Sequence, residues 1–581
     1  MQDQNNKQKI LNHILPATAL FLLTPFFIAL HIYIPNIANF TASLIDIIFI
    51  FVPLLAIVAV IVSFILFILT EKIQKYAIAI ISATGILFWI QGYIFNWNYG
   101  VLTGQQIEWQ HHPLRLAIDV FTWIVILGLF IYYAKKIIHY VGFIAILLIS
   151  IQGFSLAYTY LQADDPPDFH NYTISHAGKM SFSEDKNIVI IMLDAFQSDV
   201  FQEIIDNHKE YKDIFQGFTF FRNATAQYSK TYGAVPALLT GKWYENNMPI
   251  QEFLNESFQN SISTHLLNKG WTTQLYPLVP RIIGYSENYA SNLHKKSEPH
   301  TGLASSIPQA TLLLDLAYFR ASPQPAKPFW LNEYRGRFTS ILAYSPRKAH
   351  AYNFDKERSE LFHPIQRFVY DSITLMNSDS QNPTFKFFHF EIPHAPFNVN
   401  EQLEHESLPR GREGFKRHSV AGLEAVRIFM QQLHKKDLYD DTMIFVVGDH
   451  GGGEYEPGIL EHEDIEVEPG DIPPLHHASG MPLMLVKPFN GTGKLKISDA
   501  PASLGDVLPT ITRALNIDLS YEGHDLFSLQ EDMHRVRRYI FYEFIGWEPA
   551  YMPDMKEYKV EGHTWSPASW EATGRVFSPP G

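Results

Sequence analysis

The 581-residue sequence contains no cysteine. This absence excludes disulfide bonds, thiolate metal sites and cysteine nucleophiles, and it leaves the redox compartment undecided because a cysteine-free chain suits any compartment. Basic residues are also scarce, since 45 Lys and Arg stand against 59 Asp and Glu and give a net charge of -14. A nucleic-acid surface needs clustered Lys and Arg, so we expect no nucleic-acid partner. Internal repeats and long low-complexity tracts are absent too.

Long apolar runs, by contrast, crowd into the first 162 residues. Each is near the roughly 20 residues that a helix needs to cross a bilayer, and several carry almost no charge. We therefore predict a membrane domain of five helices over residues 1–162. The spans are expected near Ile10 to Ile34, Leu44 to Leu69, Tyr76 to Phe95, Leu116 to Ala134 and Tyr140 to Leu161.

The loops between these spans predict the orientation of the chain. Three pairs of basic residues are separated by two spans each, so all of them can lie in the cytoplasm together: Lys7 and Lys9, Lys72 and Lys75, Lys135 and Lys136. The positive-inside rule then predicts a multi-pass protein of the cell (inner) membrane with a cytoplasmic N-terminus. The rest of the chain is expected in the periplasm or outside the cell. At the start of the fourth span, Arg115 and Asp119 have the spacing of an ion pair on one helix face.

The remainder of the chain divides into a linker, a large domain and a tail. Residues 163–186 are polar and contain D-D-P-P-D, which is typical of a linker. From residue 187 to 546, short apolar runs alternate with helical or loop-rich stretches, and this alternation predicts an α/β domain with a mostly parallel central sheet between helix layers. Residues 295–356 have weak periodicity and are interpreted as an insertion. Residues 547–581 form a C-terminal tail that we expect to pack on the surface.

Carboxylates close two of the apolar runs in this domain. Asn187 to Asp194 reads N-I-V-I-I-M-L-D, and Thr442 to His450 reads T-M-I-F-V-V-G-D-H. The carboxyl ends of central parallel strands converge in one crevice, so Asp194, Asp449 and His450 are expected to meet. A mixed set of oxygen and nitrogen ligands favours zinc or manganese, with calcium or magnesium as alternatives.

A hydroxyl group is expected at the same crevice. Thr231 precedes an apolar stretch that predicts a helix, Y-G-A-V-P-A-L-L. A threonine hydroxyl becomes a nucleophile when a cation lowers its pKa, so Thr231 is both a candidate nucleophile and a candidate metal ligand. Free N–H groups at the helix start, together with the charge of Lys230, would attract an anionic substrate.

Several ordered blocks make the chain recognisable. They are I-I-M-L-D at Asp194, F-R-N-A-T-A and P-A-L-L-T-G on either side of Thr231, F-H-F-E-I-P-H-A-P-F around His394, V-V-G-D-H-G at Asp449, H-H-A-S-G-M-P-L at His476, and S-L-G-D-V-L-P-T with E-G-H-D-L-F. Over roughly residues 187–543 the sequence resembles the sulfatase-like branch of the alkaline phosphatase superfamily. The resemblance implies an alkaline phosphatase-like fold with a catalytic divalent metal.

Site residues follow from the resemblance position by position. It implies that Asp194, Asp449 and His450 bind the metal with Thr231, and that His394 contacts the anionic group of the substrate. His476 or His477 would lie near the leaving group or a second cation, and the sequence does not choose between them or exclude ordinary loop histidines. His389 is interpreted as an ordinary loop histidine.

Departures from the family pattern refine the expected function. Sulfatases convert Cys or Ser to formylglycine, whereas Thr231 cannot become that aldehyde, and the acidic pair after the first strand is reduced to Asp194-Ala195. A metal-bound Thr after five spans resembles lipoteichoic acid synthases and phosphoethanolamine transferases. The resemblance implies transfer of a phospho-headgroup from a membrane phospholipid donor to an envelope glycan or lipid acceptor through a phosphothreonine. The alternatives are a sulfatase-like hydrolase of sulfuric or phosphoric esters and an inactive envelope regulator.

Overall fold

A computed structural model describes residues 10–40, 42–97, 113–163, 171–296, 303–332, 335–339, 341, 363–453, 468–543 and 550–580. The chain forms two compact units, one of residues 1–167 with 298–347 and the other of residues 168–297 with 348–581. The segment 298–347, which the sequence places inside the second domain, therefore groups with the first unit.

The first unit contains the five apolar helices that the sequence predicts. They are α1 (Leu15–Tyr33), α2 (Leu44–Ile68), α3 (Glu71–Trp89), α4 (Pro113–Tyr132) and α5 (Val141–Leu161). With their short extensions, five helices of this unit are long and apolar enough to cross a membrane. Large apolar side chains such as Phe49 and Val60 are more than half exposed, as expected of surfaces that face lipid. The chain is a multi-pass membrane protein.

Close backbone contact joins α1 to α3 inside this unit. A Cβ atom at Gly85 of α3 would lie 2.8 Å from the backbone carbon of Leu20 in α1, so a larger residue would force the helices apart. Small residues allow this kind of approach between helices in a membrane.

A further helix, Leu303–Ala321, packs on α1 and α2 within the same unit. Gln309 accepts a hydrogen bond from the Ala42 N–H (2.9 Å), and Arg320 donates one to the carbonyl of Gly92 (2.8 Å). The role predicted for Asp119 as the ion-pair partner of Arg115 is wrong. Asp119 is buried and accepts hydrogen bonds from Gln91, Trp97 and the Gln324 N–H, because tertiary packing brings these donors to it.

The second unit is built on a seven-stranded sheet. In chain order its strands are β1 (Asn187–Leu193), β2 (Thr219–Phe221), β3 (Thr272–Tyr276), β4 (Thr384–Phe390), β5 (Thr442–Val447), β6 (Met484–Lys487) and β7 (Lys496–Ser498). Their order across the sheet is β7-β2-β6-β5-β1-β4-β3. Only β6 runs antiparallel to its neighbours. The predicted α/β fold with a mostly parallel sheet is confirmed.

Both faces of the central strands are covered. Every residue of β1, β4 and β5 is buried, which explains the apolar runs of β1 and β5, whereas Lys386 and His389 interrupt the aromatic residues of β4. The longer helices of the unit are α6 (Ser198–Asn207), α7 (Thr231–Thr240), α8 (Ile250–Phe258), α9 (Ile262–Asn268), α10 (Pro364–Leu375), α11 (Arg412–Lys435), α12 (Pro474–Ser479) and α13 (Val507–Ala514). Among them, α10 packs on α11, and the aromatic side chains of Phe368 and Phe429 meet between the two.

A smaller antiparallel sheet completes the second unit. It consists of β8 (Val536–Phe541), β9 (Met555–Glu561) and β10 (Trp570–Phe577). Two of these three strands come from the C-terminal tail, which therefore belongs to a sheet in this unit. Tyr228, just ahead of α7, forms a bridge with Ile540 of β8. The small sheet is thereby linked to the segment that carries Thr231.

Candidate active site

Two neighbouring parallel strands deliver the carboxylates of the site. β1 pairs with β5 in register from Asn187 to Met192, so Asp194 and Asp449 leave the sheet at the same edge. Asp194 donates its backbone N–H to the Phe390 carbonyl (3.0 Å), which holds it beside the end of β4. The next residue, Ala195, has φ +64° and donates its N–H to Oδ1 of Asp449 (2.9 Å). This strained turn ties the two strand ends together.

His450 presents one ring nitrogen to both carboxylates. Its Nε2 lies 3.6 Å from Oδ1 of Asp194 and 3.5 Å from Oδ2 of Asp449. Its Nδ1 lies 2.9 Å from the Gly451 carbonyl, to which it donates when it carries the proton. That tautomer leaves the lone pair of Nε2 toward Asp194 and Asp449, which is the arrangement of a metal-binding histidine.

His389 joins this cluster, so its interpretation as an ordinary loop histidine is wrong. It lies in β4 opposite Met192 of β1 and is only 4% exposed. Ligand atoms of Asp194, His389 and Asp449 all lie within 4.8 Å of one another. The sequence offers one signal for this residue, a polar side chain near the end of a strand that is aromatic apart from Lys386, F-K-F-F-H-F. The register between β4 and β1, which local pattern does not specify, places it at the site.

Thr231 is the first residue of α7. Lys230 precedes it in extended conformation, and its carbonyl accepts the N–H groups of Gly233 (3.2 Å) and Ala234 (3.1 Å), so the helix begins immediately. Tyr542 also accepts the Gly233 N–H at its hydroxyl (3.1 Å), which fixes the first turn. Thr231 is 7% exposed, and its side chain lies close enough to Asp449 to lower the pKa of that carboxyl. The structure therefore brings Thr231, Asp194, Asp449 and His450 together.

The two carboxylates have opposite electrostatic environments. Burial raises the pKa of Asp194 well above its usual range, and the nearby charge of Asp449 raises it further. Burial also acts to raise the pKa of Asp449, but the charges of His450 and His389, the hydrogen bond from the Ala195 N–H and the nearby Thr231 side chain outweigh it and lower that pKa. Two buried carboxylates this close repel each other when both are ionised. A cation between them would remove the repulsion.

Three further charged or titratable groups surround the cluster. Burial lowers the pKa of His394 to about 4, and His450 and Lys230 lower it further, so His394 is neutral at pH 7. The charge of Lys230 acts on Asp194 as well as on His394, which places Lys230 beside both. Burial raises the pKa of Glu391 to about 7. No sequence motif indicated this residue, yet its charge raises the pKa of Asp194.

His476 and His477 engage the small sheet instead. In His476, Nδ1 hydrogen-bonds to the Tyr558 hydroxyl (2.7 Å) and the ring stacks on Phe541 with centroids 3.5 Å apart. In His477, Nε2 donates to the Thr564 carbonyl (2.7 Å), and the residue is 3% exposed. A substrate-binding role for either histidine stays a prediction.

The residues present fit a divalent cation. Oδ1 of Asp194, Oδ2 of Asp449 and both ring nitrogens of His389 are buried without a hydrogen-bond partner among the described residues. Leaving several buried polar atoms unpaired is costly, and metal coordination satisfies such atoms. The set combines carboxylate oxygens with imidazole nitrogens, as zinc and manganese sites do.

Comparison with known families assigns the chain to a family. A family model described as Sulfatase matches residues 186–517, more than half of the chain. The chain belongs to the sulfatase family. It is therefore an enzyme that acts on sulfuric or phosphoric esters, within a family whose members use divalent metals. No curated protein matches the sequence significantly.

Two solved structures are similar to this chain at low sequence identity. A phosphonate monoester hydrolase from Silicibacter pomeroyi is 12% identical, with 68% of this chain and 89% of that chain covered and a TM-score of 0.40. A protein in the alkaline phosphatase superfamily from Vibrio parahaemolyticus is 13% identical, with 71% and 83% covered and a TM-score of 0.38.

Proposed function

We propose that this sulfatase-family enzyme is a phosphotransferase that moves a phospho-headgroup from a membrane phospholipid to an envelope glycan or lipid. The observation that carries the proposal is the position of Thr231, which opens α7 beside Asp449 and lowers the pKa of that carboxyl, in the cluster with Asp194, His389 and His450. The five candidate spans support it, because a chain anchored in the bilayer meets a lipid donor there. Their lysine-bearing loops support a cytoplasmic N-terminus and a catalytic unit outside the cytoplasm.

The metal ligands are proposed to be Asp194, Asp449, His450 and Thr231, with His389 as an additional neighbour. When bound, a divalent cation lowers the pKa of a coordinated hydroxyl and stabilises negative charge on phosphoryl oxygens. The imidazoles favour zinc or manganese over calcium, which prefers an all-oxygen shell. Lys230 and neutral His394 lie beside the cluster, where they would bind the anionic phosphoryl group. For His476 or His477 to contact the leaving group, its present hydrogen bond to Tyr558 or to Thr564 would have to break.

Transfer takes place in two steps. Thr231 Oγ forms a bond to the phosphorus, the bond from phosphorus to the glycerol oxygen breaks, and diacylglycerol leaves with the proton that Thr231 has lost. An acceptor hydroxyl then attacks the phosphothreonine, the bond from phosphorus to Oγ breaks, and Thr231 regains a proton. The site contributes positioning and charge stabilisation to both steps.

Thr231 also disfavours sulfatase chemistry that depends on an aldehyde. Threonine is a secondary alcohol, so its oxidation at Cβ gives a ketone. An inactive regulator would be expected to have lost some of its metal ligands. The cluster beside Thr231 retains the carboxylates of Asp194 and Asp449 and the imidazoles of His389 and His450. A hydrolase that uses water in the second step remains the closest competing function, since it shares the first step.

Mass spectrometry of the Thr231 peptide tests the proposal. The purified full chain is incubated with vesicles of phosphatidylglycerol and phosphatidylethanolamine, and in parallel with sulfate esters. We expect phospholipid to add a phospho-headgroup to Thr231. Thr231→Ala should abolish the adduct and the transfer, whereas Thr231→Ser should keep both in part because it retains a hydroxyl. Transfer by Thr231→Ala at the wild-type rate would reject the mechanism.

The absence of cysteine gives a direct test of orientation. Introduced single cysteines can be labelled with a maleimide that does not cross membranes. His534→Cys, at a side chain 79% exposed in the catalytic unit, should react in intact cells, or in spheroplasts if an outer membrane blocks access. Lys72→Cys should react only after lysis. The reverse pattern would reject the proposed orientation.

A further inference from the structure

A polar cavity lies at the opposite end of α7 from Thr231. The helix has ten residues, so its two ends are about 14 Å apart. The cavity has a volume of about 270 Å³, and its walls come from the end of α7, the segment around Glu522 and strand β8. None of the groups assigned to the reaction lines it. It is therefore separate from the site at Thr231.

Two side chains in its walls carry buried polar atoms that lack partners. Arg537 is 2% exposed, and its Nη1 donates to the Asn223 carbonyl (2.7 Å), but its Nε has no hydrogen-bond partner among the described residues. Gln227 is 2% exposed, and its Oε1 likewise has none. An unpaired buried group costs about 1–3 kcal/mol. One atom is a donor and the other an acceptor, so the wall carries unsatisfied polar groups of both kinds.

The other arginines of the cavity are neutralised in place. Arg535 makes two bonds to Asp506, at 2.6 and 2.7 Å. Arg538 bonds to Glu557 (2.6 Å) and Glu245 (2.6 Å), and its guanidinium lies 4.5 Å from the ring centre of Trp243. These pairs fix the side chains without leaving them a net charge, so the wall is rigid and mixed in polarity.

Several features disfavour an anion as the ligand. The carboxylate of Glu522 lines the cavity, and α7 ends there with the negative end of its dipole. Phosphate at neutral pH offers mainly acceptors, which would leave Gln227 Oε1 unpaired. Sugar hydroxyls donate and accept together, and the apolar face of a sugar ring packs on an aromatic side chain such as half-buried Trp243.

We propose that the cavity lined by Gln227, Trp243, Glu522 and Arg537 binds a neutral sugar residue of a glycan. As an anchor for the acceptor, the site rests on the proposed transferase function, but sugar binding itself does not require turnover.

Binding to the full chain in detergent micelles tests this site. The wild type and Thr231→Ala are applied to an array of neutral oligosaccharides from bacterial envelope polysaccharides, and the dissociation constants of the bound members are measured by calorimetry. Both proteins should bind the same members. Trp243→Ala and Glu522→Gln should each weaken binding about tenfold or more. Asp532→Asn removes an exposed charge outside the cavity and is the matched control for Glu522→Gln, with affinity expected within twofold of wild type.

The site and the transferase function can fail separately. Absence of binding to every neutral member, unchanged affinity in both cavity variants, or displacement of the sugar by millimolar inorganic phosphate would overturn the sugar site. Sugar binding that persists in a protein that forms no phosphothreonine would leave the sugar site standing and reject the transferase. Glu522 is exposed and forms no hydrogen bond or ion pair within the part of the chain that the structure describes, so Glu522→Gln tests binding even if Trp243→Ala fails to fold.

Discussion

His389→Phe is the substitution that best tests the metal cluster. Phenylalanine fills nearly the volume of the imidazole, so little cavity is left, but it removes both ring nitrogens. In the metal-free protein these nitrogens are buried without partners, and each unpaired buried group costs about 1–3 kcal/mol. We therefore expect the metal-free variant to be at least as stable as the metal-free wild type. This expectation is the opposite of what an ordinary core histidine would give.

The metal-bound protein should behave differently. Loss of a group that contacts or orients the cation reduces metal affinity about 10–100-fold, equivalent to about 1.4–2.7 kcal/mol. Because a ligand stabilises the folded state in proportion to the logarithm of its concentration over its Kd, the stabilisation gained on adding metal should fall by the same amount. The affinity is measured by competition with a chromophoric chelator, and stability by thermal melts in detergent with EDTA and with added Zn²⁺ or Mn²⁺.

His418→Phe is the matched control. His418 is fully buried and also has one ring nitrogen without a partner among the described residues, but it lies in α11 outside the cluster. It should leave the metal Kd within twofold of wild type. If His389→Phe also binds metal like wild type while Asp449→Asn does not, His389 has no part in the metal centre and the reasoning from its buried nitrogens fails.

Two further outcomes follow from buried histidines. Burial lowers the pKa of His418 to about 3. Below pH 6.5 the unfolded chain therefore binds a proton at His418 that the folded protein does not bind. The free energy of unfolding should fall by about 1 kcal/mol per pH unit as the pH drops from 6.5 toward 3. His418→Phe should flatten the fall in melting temperature between pH 7 and pH 5, and an identical fall would contradict this. His477→Phe removes the bond to the Thr564 carbonyl and should lower stability by about 1 kcal/mol without changing kcat. A reduced kcat at unchanged melting temperature would instead support the substrate-binding role of His477.

The sequence by itself determined the features that depend on local pattern. The length and composition of the apolar runs specified five spans, and the buried strands β1 and β5 follow from apolar runs of strand length, as β4 follows from a mostly aromatic one. The convergence of Asp194 with Asp449 followed from a rule of parallel sheets, which makes the carboxyl ends of adjacent strands meet. The start of α7 at Thr231 was also readable, because an apolar helical stretch follows it directly.

Tertiary structure alone decided which other side chains share these places. His389 reaches the cluster because β4 pairs with β1 in one particular register, and nothing within F-K-F-F-H-F specifies that register. Asp119 accepts hydrogen bonds from Gln91, 28 positions before it, and from Gln324, 205 positions after it, whereas the helical spacing predicted an ion pair with Arg115. Gln227 and Arg537 are likewise 310 positions apart in sequence and line one cavity. Local periodicity determines which elements form and which faces are buried, whereas contacts between distant residues depend on strand register and packing.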